Sequence, residues 1–213
     1  MNMVALTLTG ILLSIVAIVI ETKYMDKRFG KKPEKKALVF DLLLALVVNA
    51  FSVFLFEGYG YDPIRIVTCM ILTSSLIIIA RCDKEEQIIP NVILLFLISV
   101  RIAGILLAVV SNDEGIKTEL LSSLGGVLSS AIVLIIAKLI QKGAIGMGDI
   151  KLFVTIGFYL GSSYILPVML VSLVAAMIRG LIGMATKKMK KDDTFSLGPY
   201  IAAGTMCVML LGM

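Results

Sequence analysis

The chain has 213 residues, 59% of them hydrophobic and only 16% charged, with a net charge of +5, and its mean hydropathy is +1.01. Soluble domains run to about 45–50% apolar and about 25% charged residues, so this composition excludes a soluble fold with a large core and implies a polytopic membrane protein. The absence of histidine excludes HExxH metallopeptidase chemistry and a Ser-His-Asp triad. Three scattered cysteines (Cys69, Cys82, Cys207) without a CxxC pair exclude a zinc or disulfide framework.

In chain order, apolar runs able to cross a bilayer as helices are predicted at 3–21, 37–56, 64–81, 90–110 and 120–141, then at 150–161, 164–185 and 196–213. This is an all-α bundle of about eight transmembrane helices. The sixth is short, and 150–185 admits a second reading as one span plus a re-entrant piece. The first span lacks a charged flank before it and a small-residue cleavage site after it, so it is expected to be a retained helix and not a secretory signal. No polar stretch exceeds about 15 residues, too short for a separate soluble domain, so residues 1–213 are expected to form one membrane domain.

The loops assign the sides. Residues 22–36 hold Lys23, Lys27, Arg28, Lys31, Lys32, Lys35 and Lys36, and residues 186–193 hold Lys187, Lys188, Lys190 and Lys191. The positive-inside rule places both in the cytoplasm. Segment 57–63 carries Glu57 and Asp62 without Lys or Arg, and 111–119 carries Asp113, Glu114 and Glu119 against Lys117, so both face outward. Counting crossings puts 82–89 (with Lys84) and 142–149 (with Lys142) on the cytoplasmic side. Topology and anionic lipid headgroups account for the basic residues, and no nucleic-acid partner is implied.

Asp41, Asn49, Arg101 and Arg179 fall inside the spans. Asp41, one turn into the second, is expected to snorkel to the cytoplasmic interface, as is Arg179 ahead of Lys187. Asn49 lies deeper, and Arg101 needs a carboxylate, carbonyl or water partner that the sequence does not name. Gly125, Gly126, Gly180 and Gly183 are expected at helix-packing positions.

Two aspartates at span boundaries stand apart. Asp149 closes Gly146-Met147-Gly148-Asp149, and Asp83 precedes Ile89-Pro90-Asn91. A carboxylate at a membrane boundary is costly and usually functional. The glycines are expected to supply backbone conformations closed to other residues and close approach for a substrate chain. Plainer readings stand beside these: Asp149 as the cap of the next helix, and Asp83 as a solvated loop acid in Asp-Lys-Glu-Glu-Gln. The crossing count nonetheless brings both aspartates to one side at similar depth.

Asp83, Pro90-Asn91, then Lys142-Gly143-Ala144-Ile145-Gly146-Met147-Gly148-Asp149-Ile150-Lys151-Leu152, with Phe195-Ser196-Leu197-Gly198-Pro199-Tyr200 near the last helix, together resemble the type IV prepilin peptidases over residues 70–210. What the resemblance implies is an intramembrane aspartic endopeptidase of the GxGD type in the cytoplasmic membrane. It would remove a short basic leader from prepilin or pseudopilin precursors at the cytoplasmic face. Asp83 and Asp149 match the catalytic pair, and Gly146, Gly148, Pro90 and Asn91 match its backbone and substrate positions; neither metal nor cofactor is implied. Many bacterial members carry a cysteine-bearing insertion after the first helix and methylate the new N-terminus from S-adenosylmethionine. The short, cysteine-free segment 22–36 makes that second activity unexpected. Archaeal preflagellin peptidases share the core without the insertion, so archaellin-like substrates stay open. A proton- or ion-coupled transporter using intramembrane Asp and Arg is the alternative, as is a non-catalytic assembly factor. The transporter would place its charges near the bilayer midplane.

Overall fold

Among the described residues eight helices follow one another: α1 (Met3–Phe29), α2 (Lys35–Gly58), α3 (Pro63–Glu86), α4 (Asn91–Val110), α5 (Ile116–Ile140), α6 (Met147–Leu160), α7 (Ser162–Ala185) and α8 (Gly198–Gly212). The computed structural model describes residues 3–30, 34–58, 60–110, 115–140, 145–187 and 195–212, and among these there is no strand. Of the basic and acidic loop residues used above, Lys31, Lys32, Asp113, Glu114, Lys142, Lys188, Lys190 and Lys191 lie outside the described residues.

Helices appear wherever an apolar run was expected, but their ends differ. α1 continues through Lys23, Lys27 and Arg28 to Phe29 and stops at Gly30, whose φ of 65° suits glycine. α3 likewise continues four residues past Cys82. Hydropathy marks where a helix leaves hydrocarbon, whereas a helix itself ends only at a breaker, and Lys, Arg and Glu are good helix formers. α3 starts on a conventional cap: Asp62 accepts from Ile64 N–H at 2.9 Å, and Pro63 occupies the first turn.

Among the described residues six helices are long and apolar enough to cross a membrane, namely α1 to α5 and α7. α6 and α8, with 14 and 15 residues, reach only about 21–22 Å at 1.5 Å per residue, against about 30 Å of hydrocarbon. α6 and α7 are separate helices joined at Gly161, whose φ of 79° again demands glycine.

α3 is the axis of the bundle. In its apolar window 67% of residues are buried, against 22–33% in the other five spans, and it packs on α1, α2, α4 and α8. Polar contacts pin this packing where lipid offers no hydrophobic drive between helices. Asn49 of α2 donates to Ser14 of α1 (2.9 Å) and Ser74 of α3 (3.0 Å), and accepts from Thr73 (2.9 Å). Asp41 corrects the snorkelling expectation: it is buried and accepts from Arg81 Nε at 2.9 Å, tying α2 to α3. Arg179 is exposed, as a snorkelling residue would be.

Arg101, only 4% exposed, finds three polar partners among the described residues. Nη2 meets Glu119 at 2.9 Å and Ser123 at 3.0 Å, and Nε donates to the Phe158 carbonyl at 3.2 Å. That carbonyl is one of the last four of α6, which no intrahelical N–H can satisfy. A cation there also complements the negative end of the helix dipole. Tyr159 adds a hydrogen bond to the Leu97 carbonyl at 2.7 Å. Where α6 stops short, a polar vestibule of about 470 Å³ opens, lined by Arg65, Arg101, Glu119, Ser122 and Tyr159 among others.

α5 and α6 touch backbone to backbone. A Cβ on Gly126 would overlap the Gly157 carbonyl oxygen and stand 2.8 Å from Gly161 C, and one on Gly157 would stand 2.5 Å from the Gly126 oxygen. Gly126 is therefore a packing glycine, with Gly157 as its unforeseen partner. At Gly180 no such approach is found among the described residues, the nearest of which, Phe195, would be 3.8 Å from a Cβ. Gly126→Ala is expected to cost about 3 kcal/mol, because neither backbone can yield to it. Gly180→Ala should leave the melting temperature unchanged or raise it. Thermal unfolding of both variants in the same detergent decides, and equal losses would contradict the crossing described.

Candidate active site

Asp83 lies in the last turn of α3, not in the loop that the sequence suggests. The helix ends at Gln87, whose left-handed backbone (φ 53°) lets its N–H reach the Asp83 carbonyl at 2.9 Å. Its neighbours Lys84 and Glu85 face outward to differing degrees, but Asp83 is 5% exposed. Its Oδ2 accepts the Gly198 N–H at 2.6 Å, and the Leu197 N–H also binds this carboxylate. Both donors belong to the start of α8, where the first N–H groups have no intrahelical partner and the dipole favours an anion. A Cβ on Gly198 would stand 2.8 Å from both Cβ and Oδ2 of Asp83. Only glycine lets the backbone come this close.

Asp149 occupies the third position of α6, after the cap residue Gly146. Its carboxylate accepts from the Gly146 N–H, which is the reciprocal half of a capping box. The plainer reading as a capping residue is therefore partly realised, with the acid reaching back to the cap and not itself serving as one. Burial pushes the Asp149 carboxyl up from 3.8 to about 6, the nearby Asp83 charge adds to this, and the Gly146 N–H opposes it.

The glycine motif works by closeness alone. Gly146 has φ −66° and ψ 147°, open to any residue, and Gly148 is not among the positive-φ glycines. The expectation of a forbidden backbone conformation is thus corrected. A Cβ on Gly146 would stand 2.9 Å from Asp149 Oδ2, and one on Gly148 would stand 3.2 Å from Ile89 Cβ. Ile89 leads into Pro90, whose carbonyl receives Ile93 and Leu94 N–H at 3.1 and 3.3 Å to open α4. Asn91 accepts from Lys151 Nζ at 3.2 Å. Pro90, Asn91 and Gly148 therefore join the start of α4 to the start of α6, so four helix ends (α3, α4, α6 and α8) converge around the two carboxylates. Among the described residues no three metal-ligating side chains gather anywhere.

Two contributions escaped the sequence reading. Gly198 and Leu197 were singled out only as part of a segment; their N–H groups hold Asp83. Arg81, two residues before Asp83, joins Asp41 and lies 3.7 Å from both Glu21 and Glu85. A buried Glu21 at the end of an apolar span was the available signal.

A family model described as the type IV leader peptidase family matches residues 70–181. The chain is similar to the prepilin leader peptidase/N-methyltransferase of Bacillus subtilis (strain 168), 30% identical over 149 residues, which is 70% of this chain and 57% of that protein. Another of the same name from Dichelobacter nodosus is 28% identical over 172 residues, 80% of this chain and 57% of the relative. A third, from Burkholderia pseudomallei (strain 1026b), is 25% identical over 142 residues, covering 66% and 45%. The matches thus span about half the length of these relatives. No solved structure matches at comparable significance.

The geometry sets an expectation for Asp149. Removing a like charge lowers a carboxyl pKa, so Asp83→Asn should bring Asp149 down from about 6. It should remain above 3.8, because burial persists in the variant. A pH titration of the Asp149 carboxyl carbon by ¹³C NMR reads this directly. An unchanged or raised midpoint would mean that the two carboxylates do not sense each other.

Proposed function

We propose that this chain, which belongs to the type IV leader peptidase family, is an intramembrane aspartic endopeptidase that removes a short basic leader from prepilin-like precursors. One observation carries the reading. Two carboxylates on different helices, Asp83 and Asp149, are each held by backbone N–H groups and lie near enough for one charge to raise the other's pKa.

Such a pair shares one proton over a broad pH range, because ionising both is costly. The ionised member takes a proton from water, and the resulting hydroxide attacks the scissile carbonyl carbon. The protonated member gives its proton to the carbonyl oxygen, forming a neutral tetrahedral diol. As the C–N bond breaks, the newly protonated carboxyl gives its proton to the departing amine, and the other carboxylate takes one back from the diol. The leader leaves as an acid and the pilin as an amine, with the pair again holding one proton. The N–H donors of Gly198, Leu197 and Gly146 keep both carboxylates oriented throughout, so little reorganisation is needed at the moment of reaction.

The basic segments 22–36 and 186–193 support a cytoplasmic position for this end of the bundle in the cytoplasmic membrane, where a basic leader would remain. The relatives named above are also called N-methyltransferases. In this chain the segment after the first span is itself helical as far as Phe29 and carries no cysteine. We therefore assign it cleavage without methyl transfer.

Asp83→Asn and Asp149→Asn should each lower cleavage of a leader-bearing pilin precursor on the order of a thousandfold or more. Helical content and melting temperature should stay near those of the wild type. Appreciable turnover by either variant would sink the dyad assignment. Methylation has its own measurement: precursor processed by purified enzyme with added S-adenosylmethionine, then weighed by mass spectrometry. The new N-terminus should appear unmodified, and an increment of about 14 Da there would show that the enzyme also transfers a methyl group.

A further inference from the structure

α2 and α8 both pack on α3, and between them lies a groove of about 470 Å³. Its floor includes Ile77 and Ala80 of α3, with Phe40 and Leu44 of α2 on one wall and Ala203 and Cys207 of α8 on the other. We propose that this groove receives the apolar helix of the precursor and delivers its leader end to Asp83. The assignment rests on the peptidase reading and adds where the substrate lies.

Continuity with the candidate site is the first argument. Pro199, which lines the groove, follows Gly198, whose N–H binds Asp83. Arg81 and Lys84, which bracket Asp83 in α3, line the same end. The groove's charged residues, Asp41, Arg81 and Lys84, all sit there, and the remainder of the lining is apolar. A ligand that fits is therefore apolar along its body and becomes polar at the carboxylates. A leader peptide followed by a hydrophobic helix has that order.

The wall favours a helix over a lipid acyl chain. Pro199, Ala203 and Cys207 recur every four residues and so share one face of α8. Ala203 and Cys207 are exposed along that face. Small side chains at this spacing allow two helix backbones to approach closely within a membrane, which a flexible acyl chain does not need. From Pro199 to Leu210 the wall runs about 17 Å, three turns of helix. α8 starts at the site and leads away from it, and a precursor running from leader to helix would lie parallel to it.

Cys207 makes the idea testable with the unmodified protein, since Cys69 and Cys82 are buried. The probe is a synthetic precursor with a basic leader and an apolar helix of about 20 residues, carrying one cysteine at successive positions along the helix. Under mild oxidation with wild-type enzyme in lipid nanodiscs, disulfides to Cys207 should peak about 8 residues beyond the scissile bond and recur one turn away. Cys207→Ala should abolish them. Ala203→Phe, which fills the groove from an exposed position, should raise KM about tenfold with kcat within about twofold. If the precursor is cleaved but crosslinks are absent or lack helical periodicity, or Ala203→Phe leaves KM unchanged, the groove holds lipid and the docking assignment is wrong while the peptidase stands. If wild-type enzyme does not cleave the precursor, the peptidase reading fails and the groove assignment falls with it.

Discussion

The hydrogen bond from Gly198 N–H to Asp83, 2.6 Å long, joins residues 115 positions apart. It requires a buried carboxylate at the end of α3 and a helix start with free N–H groups to meet it. It also requires a residue without a side chain at the point of contact. A carboxylate near hydrocarbon is tolerable only when such donors replace its water. The bond therefore both stabilises Asp83 where it is and brings α8 to the centre of the bundle. The placement of α8 in turn defines the groove beside α2.

Asp149 depends on a different support, located at the other end of its helix. α6 is short, and its Phe158 carbonyl would be stranded inside the bundle without Arg101. Glu119 and Ser123 balance the guanidinium in turn, and a paired, hydrogen-bonded charge avoids most of the penalty of burial. The backbone contact of Gly126 with Gly157 fixes how far α6 can slide along α5. Arg101 and Gly126 thus hold the end of α6 opposite to Asp149.

Much of this was legible in the residues. The hydropathy pattern located each helix of the described residues, because apolar length is the dominant signal in a membrane protein. Spacing and motif brought Asp83, Asp149, Gly146 and Gly148 forward together. Helix ends were less legible: Lys-Arg and Asp-Lys-Glu-Glu are polar yet helix-forming, so α1 and α3 outrun their hydrophobic spans. The partners of Asp41 and Arg101 lie 40 and up to 57 residues away, beyond any local pattern. The purpose of the glycines was only half visible. Sequence shows that Gly146 and Gly148 lack side chains, whereas only the packing shows that space, and not backbone dihedral, is what they supply.

The brevity of α6 has a bearing on where water can go. From Leu152 to Leu160 no residue of this helix is exposed, so protein and not lipid surrounds it, and a rod of about 21 Å leaves about 9 Å of an ordinary hydrocarbon layer unfilled by helix at this point. The vestibule opens there, and its polar lining suits water. A guanidinium only 4% exposed thereby lies beside a wetted space, and the low-dielectric layer is thinner through the protein here than through the lipid around it.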